Sequence, residues 1–289
     1  IYAVAGLGMD ADVIGFHGQT VLHRPNLALT VQLGDGVALA QATGIDVVYD
    51  MRANDMEHGG QGAPLVPVYH RALAAQLDRE MREGGVAFIN IGGISNATFI
   101  FDGQDPVAFD CGPGNALIDE WMLSRASLAF DDEGKSAAQG VADDKIIERY
   151  LSSPFFSKSG PKSLDRQDFK LDGLDGLSTV DGAATLAKLT AGAIVASARQ
   201  QARIPQTLII SGGGARNNEI MRYIREGVGN HARVMTADQA GFNADMMEAE
   251  AWAYLAVRSL KGLPLTFPTT TGCAQAVSGG VLASANAVS

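Results

Sequence analysis

Cysteine is scarce in this 289-residue chain, which contains only Cys111 and Cys273. Two cysteines cannot build a disulfide framework for a protein of this size, so the sequence favours a reducing compartment. The N-terminal residues also lack the basic stretch and apolar run of a secretory signal. We therefore expect a cytoplasmic protein.

Positive charge and long apolar runs are also in short supply. Lysine and arginine number 22 against 32 acidic residues, which gives a formal net charge of -10, and no basic cluster offsets this deficit. A nucleic-acid partner is therefore not expected. No apolar run reaches the roughly 18 residues that a membrane span needs. The sequence predicts a soluble protein with no membrane partner.

Apolar residues are plentiful, at 46% of the chain, so the protein can bury substantial cores. The length favours two lobes over one. Segments with strand and helix patterns alternate throughout, which is typical of the α/β class. We place a lobe boundary at Gly84-Gly85, giving an N-terminal substrate-side lobe over 1–84 and a C-terminal nucleotide-binding lobe over 85–289. Whether the terminal helix packs back on the first lobe stays open.

The stretch from Val86 to Glu120 predicts a site. It contains three apolar strands, the third ending at Asp110, then a glycine turn over 111–115 and a helix for which Asn115 is the expected N-cap. A carboxylate beside a helix N-terminus lies next to an anion-binding dipole. The alternative is structural, with Asp110 merely capping the helix.

A second strand, glycine loop and helix occur around Gly212-Gly-Gly214. Missing side chains there would let backbone N–H groups approach a phosphate or an adenosine, although a tight packing turn explains the same glycines. Other nucleotide fingerprints fail: Gly134-Lys-Ser136 imitates the end of a P-loop, but Ala129 stands where its first glycine belongs, and there is no G-x-G-x-x-G motif.

Polar groups also follow apolar strands in the first 60 residues. His17-Gly-Gln-Thr20 follows one such strand and Asp50-Met-Arg-Ala-Asn-Asp55 another, at the strand ends where α/β proteins usually bind ligands. The histidines here, at 17, 23 and 58, match no zinc spacing, and loop or core positions explain them equally well.

Six motifs together closely resemble the anhydro-N-acetylmuramic acid kinases. They are His17-Gly-Gln-Thr-Val-Leu-His-Arg-Pro25, Asp50-Met-Arg-Ala-Asn-Asp55 with Gly59-Gly-Gln-Gly-Ala-Pro-Leu-Val-Pro67, Asn90-Ile-Gly-Gly-Ile-Ser-Asn96, Asp110-Cys-Gly-Pro-Gly-Asn115, Gly212-Gly-Gly-Ala-Arg-Asn217 and Asp245-Met-Met-Glu-Ala249. The resemblance implies the sugar kinase, Hsp70 and actin superfamily, with two ribonuclease-H-like lobes around a central cleft. It also implies ATP-dependent opening of 1,6-anhydro-N-acetylmuramic acid with phosphorylation at O6, a step in peptidoglycan recycling.

The same resemblance suggests roles for individual residues. It implies that Asp110 is the general base, while Glu248, otherwise an ordinary surface carboxylate, contacts the sugar. The remaining substrate candidates are His17, Gln19, Arg52 and Asp55. The nucleotide candidates are Gly92, Gly93, Asn96, Gly112, Gly114, Gly212, Gly213 and Gly214. ATP should bring Mg²⁺ without a dedicated protein cage, and we expect a homodimer.

One part of the family pattern is not matched. Family members open with a strand and a Ser-Gly-Thr-Ser-x-Asp-Gly phosphate turn, whereas Ile1 to Asp10 contains Gly6 and Gly8 without the serine, threonine and aspartate. We therefore expect a first lobe without that strand and turn. Two rival functions stay open on this basis: another sugar kinase of the superfamily, and a non-catalytic ATP-binding module.

Overall fold

The computed structural model describes residues 10–165 and 168–286. The expectation about Gly6 and Gly8 therefore lies outside the described residues. Within them, the strands are β1 Val13–Gly15, β2 Gln19–Arg24, β3 Leu29–Leu33, β4 Asp46–Tyr49, β5 Val86–Ile91, β6 Ile94–Ile100, β7 Val107–Pro113, β8 Thr207–Ser211, β9 Arg233–Thr236 and β10 Val281–Ala283.

The α-helices among the same residues range from one turn to six. They are α1 Gly36–Thr43, α2 Ala53–Glu57, α3 Pro67–Gln76, α4 Arg79–Arg82, α5 Ala116–Ala126, α6 Asp144–Leu151, α7 Pro154–Ser157, α8 Thr179–Arg199, α9 Asn218–Val228, α10 Met247–Leu260 and α11 Pro268–Thr271. The predicted α/β class is confirmed.

The chain forms two compact units, one of residues 1–72 and 245–289 and the other of residues 73–244. The sequence interpretation instead placed its boundary at Gly84-Gly85 and assigned everything beyond it to the second lobe. The structural boundary falls earlier, inside α3, and the chain after Asp245 returns to the first unit. Two contacts place this C-terminal segment in the first unit: β10 pairs antiparallel with β4, and α10 packs on β1 and β4.

The unit of residues 73–244, called unit 2 below, is built on a five-stranded sheet of order β7-β6-β5-β8-β9. Strands β5, β6 and β7 form an antiparallel meander, and β8 and β9 continue the sheet parallel to β5. This is the strand arrangement of a ribonuclease-H-like lobe. In the central strand β5, Ala87, Ile89 and Ile91 belong to the main core, and Phe88 on the opposite face contacts the Phe242 ring.

Helix α8 supplies much of the unit 2 core. Ser178 begins it by accepting the Asp181 N–H, and its small residues permit close packing on α5, α6, α9 and β7. A Cβ on Gly182 would lie 2.1 Å from the Trp121 ring, so only glycine fits there. The predicted helix over 181–202 is therefore present, displaced toward its N-terminus.

The other unit, called unit 1, contains a three-stranded sheet of order β1-β4-β10 and the separate hairpin β2-β3. Strands β1 and β4 are parallel, so their carboxyl ends lie at the same edge of the sheet. Helix α10 crosses β1 so closely that a Cβ on Gly15 would lie 2.1 Å from the Trp252 carbonyl oxygen. This contact brings α10 to the segments that follow β1 and β4.

The helix predicted over 66–83 is two helices, α3 and α4. Leu77 is buried at the break and Asp78 has extended backbone angles, φ -57° and ψ 152°. Neither leucine nor aspartate is a strong helix breaker, and the charged residues over 76–83 are typical of an exposed helix. Nothing in the sequence therefore indicated the break.

Candidate active site

Asp110 lies within β7, which continues to Pro113, so the predictions that the strand ends at Asp110 and that 111–115 is a turn are wrong. The reason is a β-bulge. On β6, Asn96 pairs with Asp110 and Ser95 with Gly112, which leaves Cys111 as an extra residue on β7. Bulges change the direction in which neighbouring side chains point, and they are frequent beside active sites.

The backbone of a neighbouring loop forms hydrogen bonds with both the side chain and the backbone N–H of Asp110. The Leu164 N–H donates to Asp110 Oδ2 at 2.8 Å, and the Asp110 N–H donates to the Lys162 carbonyl oxygen at 2.9 Å. Burial raises the pKa of the Asp110 carboxyl from 3.8 to about 6, while the bond from Leu164 opposes the rise. A carboxylate with this pKa is ionised at neutral pH and basic enough to accept a proton.

The alternative that Asp110 caps α5 fails, because its carboxylate accepts from Leu164 instead. The prediction that the Asn115 side chain caps this helix is also wrong. Its Nδ2 donates to the Ile91 carbonyl oxygen at 3.1 Å, and it accepts no N–H of α5. The N–H groups of Gly114 and Asn115, just before the helix, and of Ala116, its first residue, instead donate to the Gly92 and Gly93 carbonyl oxygens.

These bonds change the interpretation of four predicted nucleotide residues. Gly92 and Gly93 present carbonyl oxygens to the start of α5, so the three N–H groups they bind are not available to an anion. Gly114 is required by this approach, since its Cβ would lie 2.3 Å from the Gly92 carbonyl oxygen. Gly112 packs on α8, where a Cβ would lie 2.6 Å from that of Ala193. Direct nucleotide contacts from these four glycines stay predictions.

The other three glycines, Gly212, Gly213 and Gly214, lie in the loop after β8 and have different surroundings. Gly212 has a φ of +80°, and a Cβ there would lie 2.5 Å from Asn90 Oδ1. A Cβ on Gly214 would lie 2.2 Å from Ile91 Cγ2. Both therefore have the packing role given above as the alternative. Gly213 is different, because it is exposed and only Asn115 Nδ2, at 3.2 Å, approaches its Cβ position.

Gly213 opens onto a cavity of about 610 Å³ within unit 2. A cavity of this volume is in the range that holds a nucleotide-sized ligand. Acidic residues and one arginine contribute most of its charge. The lining consists of Asn115, Ile118, Asp119, Ala129, Phe130, Asp131, Asp132, Glu133, Gly213, Arg216, Asn217 and Asn218. Of the predicted nucleotide residues, only Gly213 belongs to this lining, whereas Asn96 is half-buried on β6 opposite Asp110.

Unit 1 brings together three of the five predicted substrate residues. Arg52 donates from Nη2 to His17 Nε2 at 2.8 Å and from Nη1 to the Gly62 carbonyl oxygen at 2.6 Å. Burial and the neighbouring guanidinium lower the pKa of His17, so the ring is neutral and Nε2 accepts. Glu248 is exposed at the start of α10. Its negative charge is near enough to raise the pKa values of His17 and Arg52, against the lowering that burial causes.

Trp252 completes this cluster and was not identified from the sequence. Its ring stacks on His17 with centroids 4.2 Å apart, and the Arg52 guanidinium lies 5.7 Å from its centroid. The sequence could have indicated Trp252, because it lies four residues after Glu248 on one helix and therefore on the same face.

The remaining two predicted substrate residues, Asp55 and Gln19, form hydrogen bonds with their own loop and hairpin. The Asp55 side chain is buried, accepting from the Gly62 N–H and the Thr271 hydroxyl, both at 2.7 Å. It therefore holds the loop over 59–62, and a direct contact with a ligand stays a prediction. Gln19 is exposed on the hairpin, and its amide donates to the adjacent Thr20 carbonyl oxygen.

The family of the chain follows from its sequence relatives. The family model described as anhydro-N-acetylmuramic acid kinase matches residues 5–285. The chain belongs to the anhydro-N-acetylmuramic acid kinase family. The kinase of that name from Agrobacterium fabrum is 55% identical over 94% of this chain and 73% of its own length. Those from Brucella canis and Rhizobium etli are 54% and 53% identical and are covered over 73% and 75% of their lengths.

Solved structures give weaker likenesses to this member of the kinase family. A ROK family glucokinase from Streptomyces griseus, solved with glucose and AMPPNP, matches 88% of this chain and 84% of its own at 16% identity. The TM-score of 0.39 is too low to support any argument from that structure.

Two further observations concern the described part of this family member. Residues 10–165 and 168–286 contain no group of three or more His, Cys, Asp or Glu side chains placed to hold a metal ion. None of the helices in those ranges combines the length and the apolar character needed to cross a bilayer.

Proposed function

We propose that this chain is the ATP-dependent kinase that opens 1,6-anhydro-N-acetylmuramic acid with water and phosphorylates O6, with Asp110 as the general base. The family assignment supports the reaction, since relatives at 53–55% identity carry this name. The observation that supports the role of Asp110 is its half-buried carboxylate, oriented by Leu164 and with a pKa raised to about 6.

The reaction explains why a base is needed. A 1,6-anhydro sugar has no free 6-hydroxyl, so O6 can accept a phosphoryl group only if the C1–O6 bond breaks. Water forms the new bond to C1 and gives a proton to Asp110, while O6 forms a bond to the γ-phosphorus and ADP leaves. Since Oδ2 is occupied by the Leu164 N–H, Oδ1 is the oxygen assigned to take the proton.

The two units receive different ligands in this proposal. In unit 1, Arg52 and His17, with Trp252 behind them, present polar groups to the sugar, and Glu248 accepts from a sugar hydroxyl. Arg52 has five N–H donors and uses only part of them on His17 and Gly62, so it can also bind the carboxylate of a muramic acid. In unit 2, the Gly213 backbone and the acidic cavity receive the nucleoside of ATP.

Four finer properties are proposed from the family resemblance. Mg²⁺ would arrive with ATP, whose phosphates and several waters supply ligands that a protein cage would otherwise provide. When bound with ATP, it would supply positive charge to the transferred phosphoryl group. The protein acts in the cytoplasm as a homodimer. Residues 1–84 remain our proposed substrate-side lobe and 85–289 our proposed nucleotide-side lobe, except that the helix after Asp245 packs back on the substrate side.

Isotopic labelling tests the reaction directly. Turnover in ¹⁸O-labelled water should place label on the anomeric hydroxyl and none in the bridging P–O–C6 oxygen, because O6 is already part of the sugar. Mass spectrometry with fragmentation locates the label after an early quench. Unlabelled product incubated in labelled water is the control for anomeric exchange.

Other outcomes of that experiment would favour the rival functions. A kinase acting on an ordinary hydroxyl would phosphorylate free N-acetylmuramic acid as readily as the anhydro sugar, leaving no need for a water-activating base. A non-catalytic module would bind ATP without forming either product. Either result would overturn the proposal.

The pH dependence of the reaction should report Asp110. Since burial raises its pKa to about 6, the base is protonated and inactive below that pH. We expect kcat/KM for the sugar to be level above pH about 7 and to fall tenfold per unit below about 6. Initial rates in overlapping buffers from pH 4.5 to 8 would measure this. A limb near 4, the ordinary aspartate value, would contradict a buried base.

A further inference from the structure

The loop that binds Asp110 is fixed by a buried lysine. Lys162 is only 8% exposed, and its ammonium donates to the Phe155 and Lys158 carbonyl oxygens at 3.3 and 3.1 Å and to Gln200 Oε1 at 3.3 Å. These three acceptors match the three N–H bonds of an ammonium group. Burying a charge is costly unless it is paired in this way, so the arrangement specifies one conformation of the loop.

Aromatic rings complete the environment of the ammonium. Lys162 Nζ lies 5.0 Å from the centroid of Phe109 and 4.7 Å from that of Phe155, within the range of cation–π attraction. Phe109 precedes the base on β7, and Phe155 belongs to α7. The lysine therefore ties the 158–164 loop to β7, α7 and the end of α8 at once.

The same loop makes both backbone contacts to the base. The Lys162 carbonyl oxygen accepts from the Asp110 N–H, and the Leu164 N–H, two residues further on, donates to Asp110 Oδ2. If the Lys162 ammonium were lost, the Phe155, Lys158 and Gln200 oxygens would lose the donor that they share, and the loop that keeps Leu164 at the carboxylate would be held less firmly.

We propose that Lys162 is a positioning residue for the general base, which it serves by fixing the 158–164 loop so that the Leu164 N–H orients Asp110 and stabilises its ionised form. The proposal rests on the role of Asp110 proposed above. Lys162 itself contacts no reacting atom in this account. Its effect reaches the reaction through the direction and basicity of one carboxylate.

Titratable groups on the segments that hold Asp110 are the Cys111 thiol, next to it on β7, Lys158 and Lys162 of the loop, and Asp165 just after it. Burial raises the pKa of Cys111 to about 12, so the thiol is neutral. The facing residue on β6 is Asn96, and the nearby side chains of α8 are Ala193, Ser197 and Gln200, none of which titrates.

The test is the pKa of Asp110 in Lys162→Met, measured from its carboxyl ¹³C shift. Losing the Leu164 N–H bond favours the neutral acid, so we expect the Asp110 pKa to rise by about one unit. The acid limb of kcat/KM should move to higher pH by the same amount. At pH 7, kcat/KM should fall roughly twofold, because the ionised fraction of Asp110 drops from about nine tenths to about half. Lys162→Arg keeps the charge and the N–H donors. It should therefore bring the Asp110 pKa and the turnover part of the way back to the wild-type values.

Two controls separate positioning from general destabilisation. Ile224→Ala empties a fully buried position in α9 of the same unit and should leave the Asp110 pKa unchanged. If Lys162→Met does not fold, a milder matched pair remains. Gln200→Leu removes one acceptor of the ammonium and should raise the Asp110 pKa by a smaller amount. Gln201→Leu loses only the bond to the Ser197 carbonyl oxygen and should not raise it.

The outcomes distinguish this inference from the proposed function. An unchanged Asp110 pKa in Lys162→Met and in Gln200→Leu would overturn the positioning role, whatever happens to turnover. Equal shifts in the Gln200→Leu and Gln201→Leu variants would also overturn it, since the second does not touch Lys162. Failure of the proposed function would appear elsewhere, as an unlabelled anomeric oxygen or as full activity without Asp110.

Discussion

Replacing Asp110 by asparagine should lower kcat by roughly 10²–10⁴, the range that a positioned general base contributes. Asparagine keeps the shape of the side chain, and its amide oxygen can still accept the Leu164 N–H. What it cannot do is take a proton from water. Because Asp110 is not among the cavity-lining residues, the affinity for ATP should persist. Single-turnover kinetics with the anhydro sugar and a nucleotide titration measure the two quantities.

The same variant should be more stable than the wild type at neutral pH. The pKa of Asp110 in the folded protein, about 6, exceeds the ordinary value of 3.8, so ionising it costs more in the folded state than in the unfolded one. The wild type therefore loses stability as pH rises from about 4 to about 6, and asparagine avoids this loss. We expect a gain on the order of 1–3 kcal/mol at pH 7.

Denaturant unfolding of both proteins at pH 4 and pH 7 measures this gain. The difference should be large at pH 7 and nearly absent at pH 4, where the carboxyl is protonated in the folded protein and half ionised in the unfolded one. A variant that loses stability, turnover and ATP binding together would instead identify Asp110 as a structural residue.

The sheet of unit 2 was predictable because its strands carry continuous apolar runs. Val86–Ile91 is buried on both faces and Thr207–Ser211 pairs with it in parallel, so composition alone marks both as central strands. The bulge at Cys111 was not predictable, since it depends on the register against β6. A glycine-rich segment after an apolar run is typical of a turn, and here it continues a strand.

The cluster of His17 and Arg52 could be predicted in part. Both follow parallel strands whose carboxyl ends share an edge, and that rule depends only on topology. Asp55 follows the same rule, yet its carboxylate is used within the loop that follows it. Whether a polar side chain serves a ligand or its own loop depends on packing that no local pattern encodes.

Glycines are the residues whose role the sequence determines least. Seven were assigned to the nucleotide, but the structure gives close packing as the reason for several, including Gly114 and Gly214. The sequence does not distinguish a glycine that avoids a steric clash from a glycine that makes room for a ligand. Only the surroundings of the missing Cβ separate them, which makes Gly213 the informative position.

Gly213→Val should weaken ATP binding by about 10–100-fold. The new side chain would occupy space at the cavity where the nucleotide is proposed to approach backbone, and overpacking of this kind costs about 1–3 kcal/mol. The fold should tolerate it, because the Cβ position of Gly213 meets only Asn115 Nδ2, at 3.2 Å. Calorimetric titration of ATP, together with thermal unfolding of the unliganded protein, measures both effects.

Two other glycines of unit 2 make this comparison decisive. Gly176→Val is the matched control, since nothing lies within 4 Å of its Cβ position, and it should change neither ATP affinity nor stability. Gly214→Val should do the reverse of Gly213→Val by destabilising the unliganded fold, because its Cβ would lie 2.2 Å from Ile91 Cγ2. If Gly213→Val binds ATP as tightly as Gly176→Val does, the cavity beside it is not the nucleotide site. The nucleotide would then have to bind elsewhere, and the acidic residues around this cavity would need another explanation.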